Sequence, residues 1–230
     1  MIKVGCCGFS IAKEKYFNKF DLVEVQKTFY LPPKADTAKK WKEKSPCSFV
    51  FTMKAWQLIT HSPKSPTYRK AGIDVEDANK YGFFKPTKEV FDAWEKTKEI
   101  ADILNAKIIV FQCPPSFGET KENVENIKEF FSSIGKDFIY AWEPRGKWNR
   151  ETIREICEEL QLIHCVDPFK EKHVYGKPAY FRLHGKGGYK YDYSLNELKE
   201  LRDMCEKDTY CLFNNTAMCK NAMEFKEMIS

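Results

Sequence analysis

The sequence predicts a (β/α)8 barrel in one domain over residues 1–230, and three observations carry that prediction. Eight short runs rich in β-branched and aromatic residues recur along the chain. Amphipathic helical patterns separate most of them. Nearly every run also closes on a polar or charged residue, the habit of barrel enzymes at their C-terminal rim. Strands that alternate with helices pair in parallel through helical crossovers. Eight such units meet the closure requirement near the small end of the barrel's size range. The alternative is an open doubly wound sheet. That sheet usually needs fewer strands and a Gly-rich first turn, and GCCG (Gly5–Gly8) is not GxGxxG.

IKVGCCG opens the chain as the first strand, and LVEVQKTFY reads as the second, with Glu24 inside it. In SFVFTMKA, strict alternation sends Phe49, Phe51 and Met53 toward helices and leaves Thr52 and Lys54 inside. The segment from Gln57 to Pro86 then breaks the rhythm. Aperiodic stretches of this length are lids, binding loops or disordered inserts, and this one follows a strand C-terminus. Lys64, Arg69, Lys70, Lys80 and Lys85 stand beside Tyr68, Tyr81, Phe83 and Phe84, a lid-like set that would clasp an anionic or aromatic ligand. A surface insertion with its own small core fits equally well.

From Thr87 to Leu104, Val90, Phe91, Trp94, Thr97, Ile100, Ala101 and Leu104 recur at helical spacing. AKIIVFQCP follows, with Gln112 on the same inward face as Ile108 and Val110. FIYAWEPRG puts Ala141, Glu143 and Arg145 on one face and Tyr140 with Trp142 on the other. LIHCVDP ends on Asp167, AYFRLHG aligns Tyr180, Arg182 and His184, and TYCLFNN ends on Asn214 and Asn215. Between these runs ENVENIKEFFSSI, NRETIREICEEL and SLNELKELRDMC repeat the helical pattern, and NAMEFKEMI closes the chain. Asn149 and Ser194 stand as N-caps.

With 43% hydrophobic residues the chain can bury a substantial core, yet no apolar run is long enough to span a bilayer. MIKVGCCGFS lacks the pattern of a signal peptide, so the expected location is the cytoplasm. The nine cysteines form no CxxC and several sit in apolar strands, which suits buried free thiols better than a metal knuckle or disulfide framework. A net charge of +5 is mild; an anionic ligand and a solvated lysine-rich surface explain it equally.

Convergence of Glu24, Lys54, Gln112, Glu143, Arg145, Asp167, Arg182, His184 and Asn214 on one rim is the main functional signal. Each has a plainer reading. Glu143 with Arg182, or Asp167 with Arg145, would make a buried structural pair. His184 alone is more often a hydrogen-bonded core residue, but an acid and an imidazole among several cations form a set that shifts pKa values and holds anions.

The same residues resemble the YecE-like family, domain of unknown function 72. GCCGFS, FDLVEVQKTFY, FVFTMKAWQLITH, VFQCPPSF, WEPRGKW, CVDPF, YFRLHGKGGY with YSLNEL, and LFNNTAMCKNA match its motifs in order from end to end. The resemblance implies a (β/α)8 barrel with a polar cleft at the strand C-termini. It marks Glu24, Thr28, Tyr30, Lys54, Thr60, His61, Gln112, Glu143, Arg145, Trp148, Asp167, Arg182, His184, Gly185, Asn214 and Asn215 as motif positions. Departures affect the cleft's shape: Phe9 replaces a Trp, Gln26 and Lys27 occupy the region of a second-strand Asn, and Pro144 and Gly146 flank Arg145 where Phe and His are common.

Four functions compete. The first is an enzyme on a small anionic, phosphate-bearing substrate: Lys54, Arg145 and Arg182 hold the anion, while Glu143, His184 and Asp167 supply acid/base chemistry. Glycines of the GKGG turn (Gly185–Gly188) would let backbone N–H groups approach the anion. The second is a glycosidase using pairs among Glu24, Glu143 and Asp167, with Trp56, Trp142 and Trp148 stacking on sugar. The third is metal-dependent hydrolysis, a divalent ion held by Glu24, Glu143, Asp167 and His184; otherwise no cofactor is expected. The fourth is a nucleic-acid-binding module that uses the basic segment Lys64–Lys85.

Overall fold

A computed structural model describes residues 1–229. Eight strands, β1 (Ile2–Cys7), β2 (Leu22–Val25), β3 (Val50–Lys54), β4 (Ile108–Gln112), β5 (Ile139–Glu143), β6 (Ile163–Val166), β7 (Ala179–Leu183) and β8 (Thr209–Phe213), pair in parallel in sequence order, and β1 closes on β8. All eight lie in the predicted runs. The second is shorter than its run suggests: the strand stops at Val25, and Lys27–Tyr30 forms a helical turn, α2, because Thr28 Oγ1 bonds the carbonyls of Val25 and Lys54 and folds the chain over the rim.

The remaining helices are α1 (Lys13–Lys19), α3 (Ala35–Glu43), α4 (Gln57–Thr60), α5 (Pro66–Ala71), α6 (Lys88–Leu104), α7 (Lys121–Ser133), α8 (Arg150–Leu160), α9 (Leu195–Met204) and α10 (Met218–Ile229). Side chains of Thr87, Thr120 and Asn149 cap α6, α7 and α8, and Ser194 with Glu197 forms a capping box on α9. Each cap satisfies an N–H that the helix leaves unpaired and contributes about 1 kcal/mol. The β6–β7 connection contains no helix; an irregular loop over residues 167–178 makes that crossover.

The core has two shells. Ile108, Val110, Ala141, Ile163, Cys165, Tyr180 and Leu212 fill the barrel, while the alternate residues pack outward against the helices. Phe51, Met53, Phe111 and Trp142 belong to the outer shell, as alternation predicts. Val90, Trp94, Thr97, Ile100, Ala101 and Leu104 form the buried face of α6, and Phe91 is half-buried beside them. Six of the nine cysteines are buried free thiols, and burial pushes those of Cys6 and Cys157 up to about 12.

The Gln57–Pro86 segment is tied to the barrel. Gly82 and Phe84 donate backbone hydrogen bonds to Leu58 and Ile59, and Tyr68 Oη donates to the His61 carbonyl at 3.0 Å. Phe83 and Phe84 both adopt positive φ, 56° and 54°, a strained conformation for bulky residues. Burial of Phe84 among Phe111, Phe117, Phe130 and Phe131 offsets that strain. Tyr68 and Phe84 therefore face the core, not a ligand. No helix among the described residues is long and apolar enough to cross a membrane.

Candidate functional site at the barrel rim

The inner residues at the C-terminal ends of β2, β3, β4, β5 and β7 are charged or polar and almost dry. Arg182 is fully buried at their centre. Its Nε and Nη2 donate to the two oxygens of Glu24 at 3.1 and 2.9 Å, and its Nη1 donates to Glu143 and, at 3.3 Å, to Gln112 Oε1. Glu24 also accepts from Tyr180 Oη at 2.9 Å and from Gln26. Burial would lower the guanidinium pKa, but Glu143 and Glu24 hold it well above its ordinary value. Every face of the fork is thus occupied. Arg182 does not serve as the anion-binding residue expected from the sequence; it is the middle of a buried carboxylate–guanidinium–carboxylate triad.

Glu143 has a second cation. Arg145 Nε donates to its Oε1 at 2.9 Å and Nη2 lies 2.8 Å from the same atom. Burial alone would raise this carboxyl; Arg182, Arg145 and His184 outweigh it and hold Glu143 well below the usual carboxylate range. A carboxylate so clamped stays ionised and anchors its neighbours, and does not trade protons as the sequence reading proposed.

His184 stands among a cation, a carboxylate and an amide. Arg145 Nη2 lies 2.9 Å from Nε2, Glu143 Oε1 3.3 Å from it, and the Asn214 amide 3.0 Å from Nδ1. A guanidinium only donates, so its contact suits the tautomer with a bare Nε2 and a hydrogen on Nδ1; that tautomer requires the Asn214 side chain to present its oxygen where Nδ2 stands. Burial lowers the imidazole pKa; the Glu143 hydrogen bond opposes this, and Arg182 and Arg145 add to the depression. The ring is therefore neutral at pH 7.

Asp167 fixes the backbone of this wall. Its Oδ2 accepts the His184 N–H at 3.1 Å and its Oδ1 the Phe169 N–H at 3.2 Å, and Lys170 Nζ stands 3.9 Å away. Glu143, Arg145, Asp167, Lys170, His184 and Asn214 line one open cleft of about 500 Å³. Arg145 and Lys170 are its accessible cations, with side chains 34% and 53% exposed. Lys170 was missed in the sequence because it lies beyond the strand, in the irregular loop.

The other expected residues sit deeper or elsewhere. Lys54 and Gln112 are buried beside Arg182, and Lys54 Nζ donates to Gln112 Oε1 at 2.9 Å. Buried His61 stacks edge-on with Phe29 and bonds Thr60; burial, then Lys54 and Arg145, lower its pKa to about 3. Half-buried Tyr30 packs on Phe29 beneath Lys70, and its carbonyl accepts from Trp56 Nε1 at 3.2 Å. Half-buried Trp148 bonds the Phe117 carbonyl at 2.7 Å and packs edge-on against Trp142, which is fully buried and so not offered to a sugar.

Gly185 is required by geometry: φ is +86°, and a Cβ there would lie 2.4 Å from the Gly188 carbonyl oxygen. Two of the turn's four N–H groups are already committed, however. Gly185 N–H is taken by Tyr193 Oη at 2.8 Å, Gly188 N–H by the Gly185 carbonyl at 3.2 Å, and Lys186 pairs with Glu197 and Glu200. Buried Asn215 holds the following loop through Tyr191 O and Asn221 Oδ1. Among the described residues, no three His, Cys, Asp or Glu side chains form a group able to hold a metal ion. Glu24, Glu143, Asp167 and His184 are partnered instead by cations, amides and backbone N–H groups.

Fold and site together define a closed parallel (β/α)8 barrel with a charged cleft at its C-terminal rim. Over residues 13–230 the chain matches the family described as Protein of unknown function DUF72, and it belongs to that family. The UPF0759 protein YunF of Bacillus subtilis is 25% identical, over 94% of this chain and 84% of that one. The crystal structure of a DUF72 family protein from Enterococcus faecalis V583 superposes with a TM-score of 0.74 at 22% identity, covering 100% of this chain and 97% of that one. A xylose isomerase domain containing protein from Salmonella typhimurium LT2 shares the fold, with a TM-score of 0.60 at 14% identity over 99% and 95% of the two chains.

Proposed function

We propose that this barrel is an enzyme that binds a small anionic substrate in the rim cleft and moves a proton on it, with His184 as the base. The observation that carries this reading is the 2.9 Å contact of Arg145 Nη2 with His184 Nε2 at the wall of an open cleft, which suits a neutral ring with that nitrogen bare. Arg145 and Lys170 would grip the anion. A carboxylate or phosphate drawn onto Arg145 uncaps Nε2, and Glu143, 3.3 Å away, stabilises the imidazolium once the proton arrives. Substrate binding and activation of the base are thus coupled through one guanidinium.

Glu143 does not suit the protonated acid that a glycosidase needs, since two guanidinium groups hold it ionised.

The test is a panel of small carboxylates and phosphate esters incubated in D2O and followed by NMR for carbon-bound deuterium. A substrate that exchanges should lose it by roughly 100-fold or more in His184→Gln. In Arg145→Met its half-saturation concentration should rise about ten-fold or more. Exchange that survives His184→Gln unchanged sinks the assignment.

A further inference from the structure

Lys54 is the one lysine among the described residues that is buried, at 5% exposure. Its Nζ donates to Gln112 Oε1 and lies 3.7 Å from the centre of the Phe29 ring. The same amide oxygen also accepts from Arg182 Nη1 at 3.3 Å, so amine and guanidinium face each other across a single atom. The acids whose charge reaches Lys54, Glu24 and Glu143, are already committed to Arg182. An ammonium here loses its hydration, gains no carboxylate and is repelled by a fixed cation. Burial first, then Arg182 and Arg145, bring the amine down to about 7, against the opposing pull of Glu24 and Glu143. The Phe29 ring also favours the charged form. Desolvation next to another cation is a recurring way to make lysine a nucleophile.

We propose that Lys54 is a carbonyl-reactive amine, and that the substrate is a small anionic aldehyde or ketone captured on it as an imine. This rests on the reading of the rim as a site for an anionic substrate. The neutral Nζ attacks the carbonyl carbon, an N–C bond forms, and the carbonyl oxygen leaves as water with the two amine hydrogens. No oxidant or reductant is needed. The imine takes up a proton from solvent and withdraws electrons from the adjacent carbon, whose hydrogen is then acidic enough for His184. A contact chain of Lys54, Gln112, Arg182 and Glu143 joins the two reactive nitrogens.

The wild-type protein is treated at pH 7 with glyoxylate and sodium cyanoborohydride, and the adduct is located by peptide mass mapping. Glyoxylate is chosen because it is the smallest anionic aldehyde, suited to an amine that is buried. At that pH an ordinary lysine is neutral in roughly one molecule in 2,500, whereas an amine of pKa about 7 is neutral in about half. Lys54 should therefore be modified at least about ten-fold faster than surface lysines, after allowance for burial and lower intrinsic reactivity. Slowing of that adduct in Arg145→Met, with propionaldehyde reacting poorly, supports the whole proposal. Equal labelling by glyoxylate and propionaldehyde, indifferent to Arg145→Met, keeps the imine and overturns the anionic substrate. Labelling of Lys54 no faster than surface lysines overturns the imine, whatever Arg145 binds. Reductive methylation with 13C-formaldehyde supplies a second measurement on the wild-type fold: a Lys54 dimethylamine titrating in the ordinary lysine range overturns the proposal.

Discussion

Replacing Arg182 by Met tests the buried triad at its centre. Methionine keeps much of the volume and removes the charge. Glu24, fully buried, retains only Tyr180 and Gln26, while Glu143 retains Arg145. Removing one partner of a buried ion pair costs about 3–5 kcal/mol, because an uncompensated charge remains in a dry interior. For a domain of this size that lowers Tm by roughly 6–20 °C. A second substitution separates this cause from lost packing. In the wild type, Glu143 has a depressed pKa, so its contribution is full above the unfolded carboxylate value and is lost only as pH falls through its low folded value. In the variant, Glu24 stays buried and loses its guanidinium partner. Urea unfolding of Arg182→Met at pH 7 reads the deficit, and Glu24→Gln in the same background should recover part of it. A deficit under about 1 kcal/mol at pH 7, or one that Glu24→Gln does not reduce, refutes the reasoning.

Other expectations follow from the same interior. His164 is fully buried with both ring nitrogens unpartnered, and burial lowers its pKa to about 3, so His164→Leu should leave stability equal or raise it by about 1 kcal/mol in urea unfolding at pH 7. Because the unfolded chain protonates its histidines near 6.5, His61 and His164 together should make the wild type lose stability as pH falls from about 6.5 toward 4. Lys54 acts at the other end of the scale: its lowered pKa makes stability rise with pH from about 7 toward 10, by at most about 1.4 kcal/mol per pH unit, and Lys54→Met should flatten that rise. Phe84→Ala, which empties a pocket among four aromatic rings, should cost about 3–5 kcal/mol and speed amide exchange across residues 57–86.

The barrel was legible because its determinants are local. Alternation in SFVFTMKA and AKIIVFQCP assigns Lys54 and Gln112 to the inner face before any contact is known, and Thr87, Asn149 and Ser194 mark where helices begin. The strand-end positions of Glu143, Asp167, His184 and Asn214 follow from the same periodicity, and all four line one cleft. What periodicity cannot supply is which charge meets which. Arg145 and Arg182 look alike in sequence, both arginines near a strand end, yet one is a third exposed and the other is wholly enclosed by Glu24 and Glu143. Glu24 lies 158 residues from Arg182, and only barrel closure brings them within 2.9 Å. The environment of Lys54 depends on the same closure, since the guanidinium that disfavours its charge arrives from the opposite side of the barrel. Sequence alone determined the fold and the rim on which its polar residues gather. The tertiary structure decided which of them are spent on one another and which remain free to act, because partnership among buried charges depends on distances of a few ångströms between segments far apart in the chain.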